Sequence, residues 1–88
     1  MSFNRNDFVR AKVHTAVTPG EALRMIRELQ NLSQNELAEL TGISQSNISA
    51  IECGARQFGR ERAIVLAMAL QIHPSVLLFP DFEFKKAA

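Results

Sequence analysis

Apolar positions along this chain change period near residue 18. Over residues 9–17, Val9, Ala11, Val13, Thr15 and Val17 alternate with Arg10, Lys12, His14 and Ala16. A period of two, rich in β-branched residues, predicts an extended strand or arm. A lone strand leaves both edges unpaired, so the segment must join a twin subunit or a partner, or stay disordered. From Thr18 onward the period becomes three and four. Thr18-Pro19-Gly20-Glu21 supplies a capping hydroxyl, a proline at the first helical position and a glutamate able to reach back to the cap, and so predicts a helix start. Its stripe of Ala22, Leu23, Ile26 and Leu29 holds helical spacing until Leu32.

Ser33-Gln34-Asn35-Glu36 repeats the capping box and predicts a second helix of about two turns, ending at Gly42. Ser44 caps a third helix from Gln45 to Cys53, with Gly54 as its stop. After a loop from Ala55 to Gly59, the run RERAIVLAMALQI is apolar nearly all round, which predicts a helix central to the core. Pro74 opens a last short helix that Pro80 ends, and DFEFKKAA reads as a tail. The expected divisions are an N-terminal arm over 1–17, a helical domain over 18–80 and a C-terminal tail over 81–88.

Length and charge narrow the classes. With 88 residues, 47% hydrophobic and 22% charged, the chain makes one small globular domain rather than a disordered polymer. A domain this size buries roughly 60 to 65% of its unfolded surface, so an oligomer is expected to supplement a modest core. Ten Lys+Arg against nine Asp+Glu leave a formal charge of +1, and nucleic-acid binding then depends on where the basic residues sit. No aromatic residue lies between Phe8 and Phe58, which excludes a base-stacking platform for single strands in that segment. The lone Cys53 has no intramolecular disulfide partner, the N-terminus lacks an apolar signal region, and the apolar stretch Ala63 to Ile72 is too short for a bilayer. A cytoplasmic protein with no membrane partner is the expectation.

The chemistry-bearing spacing runs from Gln34 to Ile51. Ala38 stands four residues after Gln34, Gly42 four later, then Ile48 and Ile51. Two helices crossing through a tight turn need a small residue at their approach, a glycine in the turn and apolar anchors on the second helix. With Ile48 and Ile51 turned inward, Ser46, Ser49, Ala50 and Cys53 face outward, flanked by Gln45 and Asn47. Arg56, Arg60 and Arg62 follow, opposed only by Glu61, and are suited to neutralising phosphates.

The stretch ALRMIRELQNLSQNELAELTGISQSNISAIECG resembles the lambda repressor and Cro-like (Xre-type) helix-turn-helix family, the resemblance covering about residues 20 to 79. It implies an all-α, five-helix lambda-repressor-like DNA-binding domain, here with a short extended N-terminal arm. It further implies that Gln34 lies against DNA phosphate, that Gln45, Ser46 and Asn47 read base edges in the major groove with Ser44 and Ser49 beside them, and that Arg27 pairs with Glu52. Arg56 and Arg60 complete the DNA-binding set. Ala50 stands where many members of the family carry a large reader. Glutamine suits this work, because it donates and accepts at once and matches the N6 and N7 edge of adenine.

An enzyme finds little to work with: the sequence has no H-E-x-x-H, C-x-x-C, G-x-S-x-G or phosphate-cradling glycine loop. No cofactor, metal or small-molecule substrate is expected, since His14 and His73 stand apart without companion ligands. Cys53 reads as a small space-filler. Two binding-module readings compete. The stretch GRERAIVLAMALQIHPSVLLFPDF is similar to that of small HigA-like antitoxins, which implies a repressor of its own operon that also neutralises a RelE-like, RNA-cleaving toxin of a type II toxin-antitoxin pair. The alternative is a stand-alone Xre-type transcriptional regulator. Either acts on a double-stranded operator as a homodimer, with Val76, Leu77, Phe79 and Phe82 as the expected dimer interface. The arm, apolar along Val9, Val13 and Val17, is assigned to a protein partner, the rival being a basic contact of Arg10 and Lys12 with DNA.

Overall fold

The computed structural model describes residues 17–80, so the expected arm before Val17 and the tail from Asp81, including Phe82, lie outside the described residues. Within them the backbone forms five helices and no strand: α1 (Pro19–Leu29), α2 (Gln34–Thr41), α3 (Gln45–Glu52), α4 (Arg60–Leu70) and α5 (Ser75–Leu78). Helix α3 packs against both α1 and α2, α4 lies against α2 and α5, and α5 closes back on α1.

Local chemistry sets the helix starts. The Thr18 hydroxyl accepts the Glu21 amide at 3.1 Å while the Thr18 amide donates to the Glu21 carboxylate at 3.1 Å. Ser33 and Glu36 form the same reciprocal box at 2.9 and 2.8 Å. Each box satisfies amides that have no partner inside the helix, and loss of such a cap costs about 1 kcal/mol. Helix α5 has Pro74 as its N-cap and no side-chain cap, while the His73 Nδ1 before it accepts the Ser75 amide at 3.1 Å.

Leu23, Leu37, Ile48, Ile51, Leu66, Leu70 and Leu77 are the largest fully buried side chains, and they draw on all five helices. Burial of each removes enough apolar surface to stabilise the fold by roughly 1.5 to 3 kcal/mol before entropy is counted. Val17, the last residue of the expected arm, packs partly against this core.

Three expectations are corrected. Leu29 is 78% exposed rather than part of the inward stripe, because Gly20, Leu23 and Arg27 form the buried line and α1 stops at Leu29. Helix α4 is not buried all round: Ala63, Leu66, Ala67 and Leu70 face the core, whereas Ile64, Val65 and Met68 are exposed. Leu77, expected at a dimer interface, is fully buried in its own chain's core and has no surface to offer a second copy. A four-residue helix closing over the core must turn one side chain inward, and on α5 Leu77 fills that place.

Candidate nucleic-acid interface

The turn between α2 and α3 is fastened by its own side chains. Gly42 takes a left-handed conformation, φ 79°, as its amide donates to the Ala38 carbonyl at 2.8 Å. Thr41 works on both sides of the turn, donating its hydroxyl to the Leu37 carbonyl at 2.8 Å and accepting the Ile43 amide at 3.1 Å. Ser44 then caps α3 through the Asn47 amide at 3.2 Å. These bonds leave the chain no slack between the helices, and the direction of α3 follows.

Helix α1 holds α3 from the other side. At Gly20 a Cβ would run into the Ile51 carbonyl oxygen, so only glycine permits this backbone approach. Further along, Arg27 donates to Glu52 through Nε at 2.7 Å and Nη2 at 3.0 Å, and through Nη1 to the Leu32 carbonyl at 2.7 Å. Both side chains of the pair are buried, 10% and 5% exposed. The hydrogen bond to Glu52 holds the Arg27 guanidinium above its already high ordinary pKa, against the opposing effect of burial.

A second chain of bonds leaves this pair. Gln34 Nε2 donates to Glu52 Oε1 at 3.0 Å, and Gln45 Nε2 donates to Gln34 Oε1 at 2.6 Å. The Gln34 side chain is therefore engaged within the protein, between the buried carboxylate and the first residue of α3. Sequence spacing places Gln34, Gln45 and Glu52 on three element ends but carries no signal that their side chains meet.

The exposed start of α3 consists of Ser44, Gln45 and Ser46, with Asn47, Ser49 and Ala50 half-buried behind it. Ser44 and Ser46 hydroxyls lie 3.4 Å apart. Ser49 shares a polar depression with Arg24, Gln34 and Cys53 between α1 and α3. Cys53 fills no internal space: it is exposed at the end of α3, its thiol directed at the Ala50 carbonyl at 3.5 Å. Arg56, Arg60 and Arg62 line one open depression made by the α3–α4 loop and the first turn of α4. Gly59 begins α4 without a side-chain cap, so the amide end of the helix adjoins the arginines.

Two short helices joined at a left-handed glycine, with a polar helix start displayed beside a basic loop, define a helix-turn-helix DNA-binding domain. The chain belongs to the Xre-like helix-turn-helix family HTH_3, which matches residues 23–77. It is 33% identical over 67 residues to the HTH-type transcriptional regulator y4aM of Sinorhizobium fredii, a match covering 75% of this chain and 47% of y4aM. Control protein C.SmaI of Serratia marcescens is 36% identical over 58 residues, 66% of this chain and 69% of that protein. The crystal structure of the restriction-modification controller protein C.AhdI from Aeromonas hydrophila superposes with a TM-score of 0.66 at 38% identity, covering 69% of this chain and 92% of that one. The chain spans less than half the length of the Sinorhizobium regulators it matches, 47%, 39% and 26% of them. Among the described residues no helix is long and apolar enough to cross a membrane.

Proposed function

We propose that this chain is a sequence-specific transcriptional repressor that binds an operator as a homodimer, α3 of each subunit seated in the major groove. The observation that carries the reading is the Gln45 amide, exposed at the start of α3 and held there by Gln34. A base-reading side chain recognises best when its position is fixed before binding. Gln45, Ser46 and Asn47 address base edges, Ser44 and Ser49 the adjoining backbone. Gln34 keeps one Nε2 hydrogen for a phosphate, as the amide has two and Glu52 takes one. Arg56 and Arg60 neutralise phosphates beside the groove.

One such domain reads a half-site, and dimerisation doubles the readout. In place of Leu77, the outward side of α4 with Ile64, Val65 and Met68, together with Phe79 at 63% exposure, supports contact with a second copy, with half-buried Val76 below. Phe82 is retained in this proposal from sequence alone.

Relatives that are HTH regulators and controller proteins favour a stand-alone regulator over an antitoxin. The toxin-neutralising reading rests on the similarity of residues 59–82 to HigA-like antitoxins. A reporter driven by the DNA upstream of the chain's own coding region tests repression: expression falls when the chain is supplied, and an unchanged signal contradicts autorepression. Co-expression with the neighbouring reading frame separates the two classes, because rescue of growth from a toxic neighbour requires the antitoxin role.

A further inference from the structure

Arg24 lies on the stripe by which α1 meets α3. Gly20, Arg24 and Arg27 stand at i, i+4 and i+7, and the first and last of them meet the end of α3, at Ile51 and Glu52. Arg24, between them, opens on the depression of about 270 Å3 that α1 and α3 border, where Ser49 and Cys53 bring the outward face of α3 to the same space. Four charges line it, two of each sign, and they are unequally held. Arg27 and Glu52 are buried and closed on each other. Arg24 and Glu28 are 63% and 54% exposed and meet through one bond, Nε to Oε2 at 3.2 Å. Water and salt weaken an exposed pair of this kind readily. Glu28 also has a second cation within reach, because the same Oε2 lies 3.8 Å from Arg27 Nη2, which spends one of its two hydrogens on Glu52. Arg24 can therefore leave without stranding the carboxylate. The half-buried Ser49 hydroxyl, for its part, has no hydrogen-bond partner among the described residues.

We propose that this depression is a phosphodiester seat: Arg24 exchanges Glu28 for an oxygen of the DNA backbone that the Ser49 hydroxyl also holds, while Glu28 moves to Arg27. Guanidinium and hydroxyl both donate, and a phosphate oxygen accepts from both. Off DNA, Glu28 cancels the charge of Arg24, so this flank of α3 attracts a duplex only as Glu28 gives way. The seat lies on the α1 side of α3, apart from Arg56 and Arg60 on the α3–α4 loop and α4. It adds one backbone contact per subunit. This inference rests on the reading of α3 as the groove helix.

The test is binding of the full-length chain to a mixed-sequence duplex across a range of salt, since backbone contacts need no operator. Arg24→Gln should weaken binding and lower the salt slope by about 1, whereas Arg24→Lys should keep the slope. Ser49→Ala should weaken binding with the slope retained. Glu28→Gln should strengthen binding severalfold in the wild-type background and have little effect beside Arg24→Gln, because a competitor matters only while Arg24 is present. An unchanged slope in Arg24→Gln overturns the seat. An equal gain from Glu28→Gln with and without Arg24 marks plain repulsion between carboxylate and DNA, and overturns the exchange. Arg56→Ala separates this proposal from the reading beneath it: if that variant lowers the slope and Arg24→Gln does not, the groove reading stands and the seat alone falls. A wild-type chain that binds no duplex overturns both.

Discussion

Gln45 is the side chain on which the specificity argument turns. Truncation to alanine removes the donor and acceptor together, so Gln45→Ala is expected to weaken binding to the operator by about 1 to 3 kcal/mol and to leave random DNA nearly unaffected. Fluorescence anisotropy on both duplexes checks this, and equal losses on the two would mean that the side chain does not face bases. Arg27 carries a different expectation. Arg27→Met leaves Glu52 buried without its countercharge, and urea denaturation should register a loss of about 3 to 5 kcal/mol, against under 1 kcal/mol for an expendable pair. Because the Arg27 pKa is raised, the stability it contributes is present below the ordinary arginine value and is lost only as pH climbs beyond it. Titration of Arg27 should thus add no pH dependence to stability near neutrality. The Arg27–Glu52 pair was legible in sequence through the family resemblance, and the structure shows it. The line from Glu52 through Gln34 to Gln45 was not legible, because it depends on how three separately placed helix ends converge.

Helix starts and stops follow closely from the chain, since capping boxes at Thr18 and Ser33 and the left-handed Gly42 act through neighbours three or four residues away. Faces are harder to read. Hydrophobicity alone placed Leu29 inside, but the inward line of α1 is completed by Arg27, a charge whose burial makes sense only once Glu52 is opposite. Likewise α4 carries apolar residues all round, and sequence does not say which of them the small core leaves exposed. Glycines test the element scale. Gly42→Ala meets no neighbouring atom but must hold φ 79°, a conformation costing an L-residue about 1 to 2 kcal/mol. Gly20→Ala meets the Ile51 backbone and must push α1 from α3, so it should cost more than Gly42→Ala in thermal or urea unfolding. The reverse ranking would mean that the α1–α3 contact yields easily.

For the whole molecule, the proposed recognition uses two such domains and a basic rim. Arg56→Ala or Arg60→Ala should weaken binding to all sequences alike and reduce the salt slope by about 1, as expected for the loss of one phosphate contact. If the exposed side of α4 meets a second copy, Met68→Ser with Phe79→Ser should shift sedimentation from dimer to monomer while the helical signal persists; an unchanged dimer would place the interface elsewhere. Sequence disclosed the DNA-binding class because its motif is local, whereas the interface expected at Leu77 was misplaced because burial is a property of the packed domain. Whether the start of α3 reads bases in a two-fold site is decided by selecting bound duplexes from a random pool with the wild-type chain and with Gln45→Ala. The expected outcome is an inverted repeat with half-sites about one helical turn apart, and loss of preference in the variant at a single base pair of each half-site. A pool that enriches no motif, or an identical motif for both proteins, would contradict it.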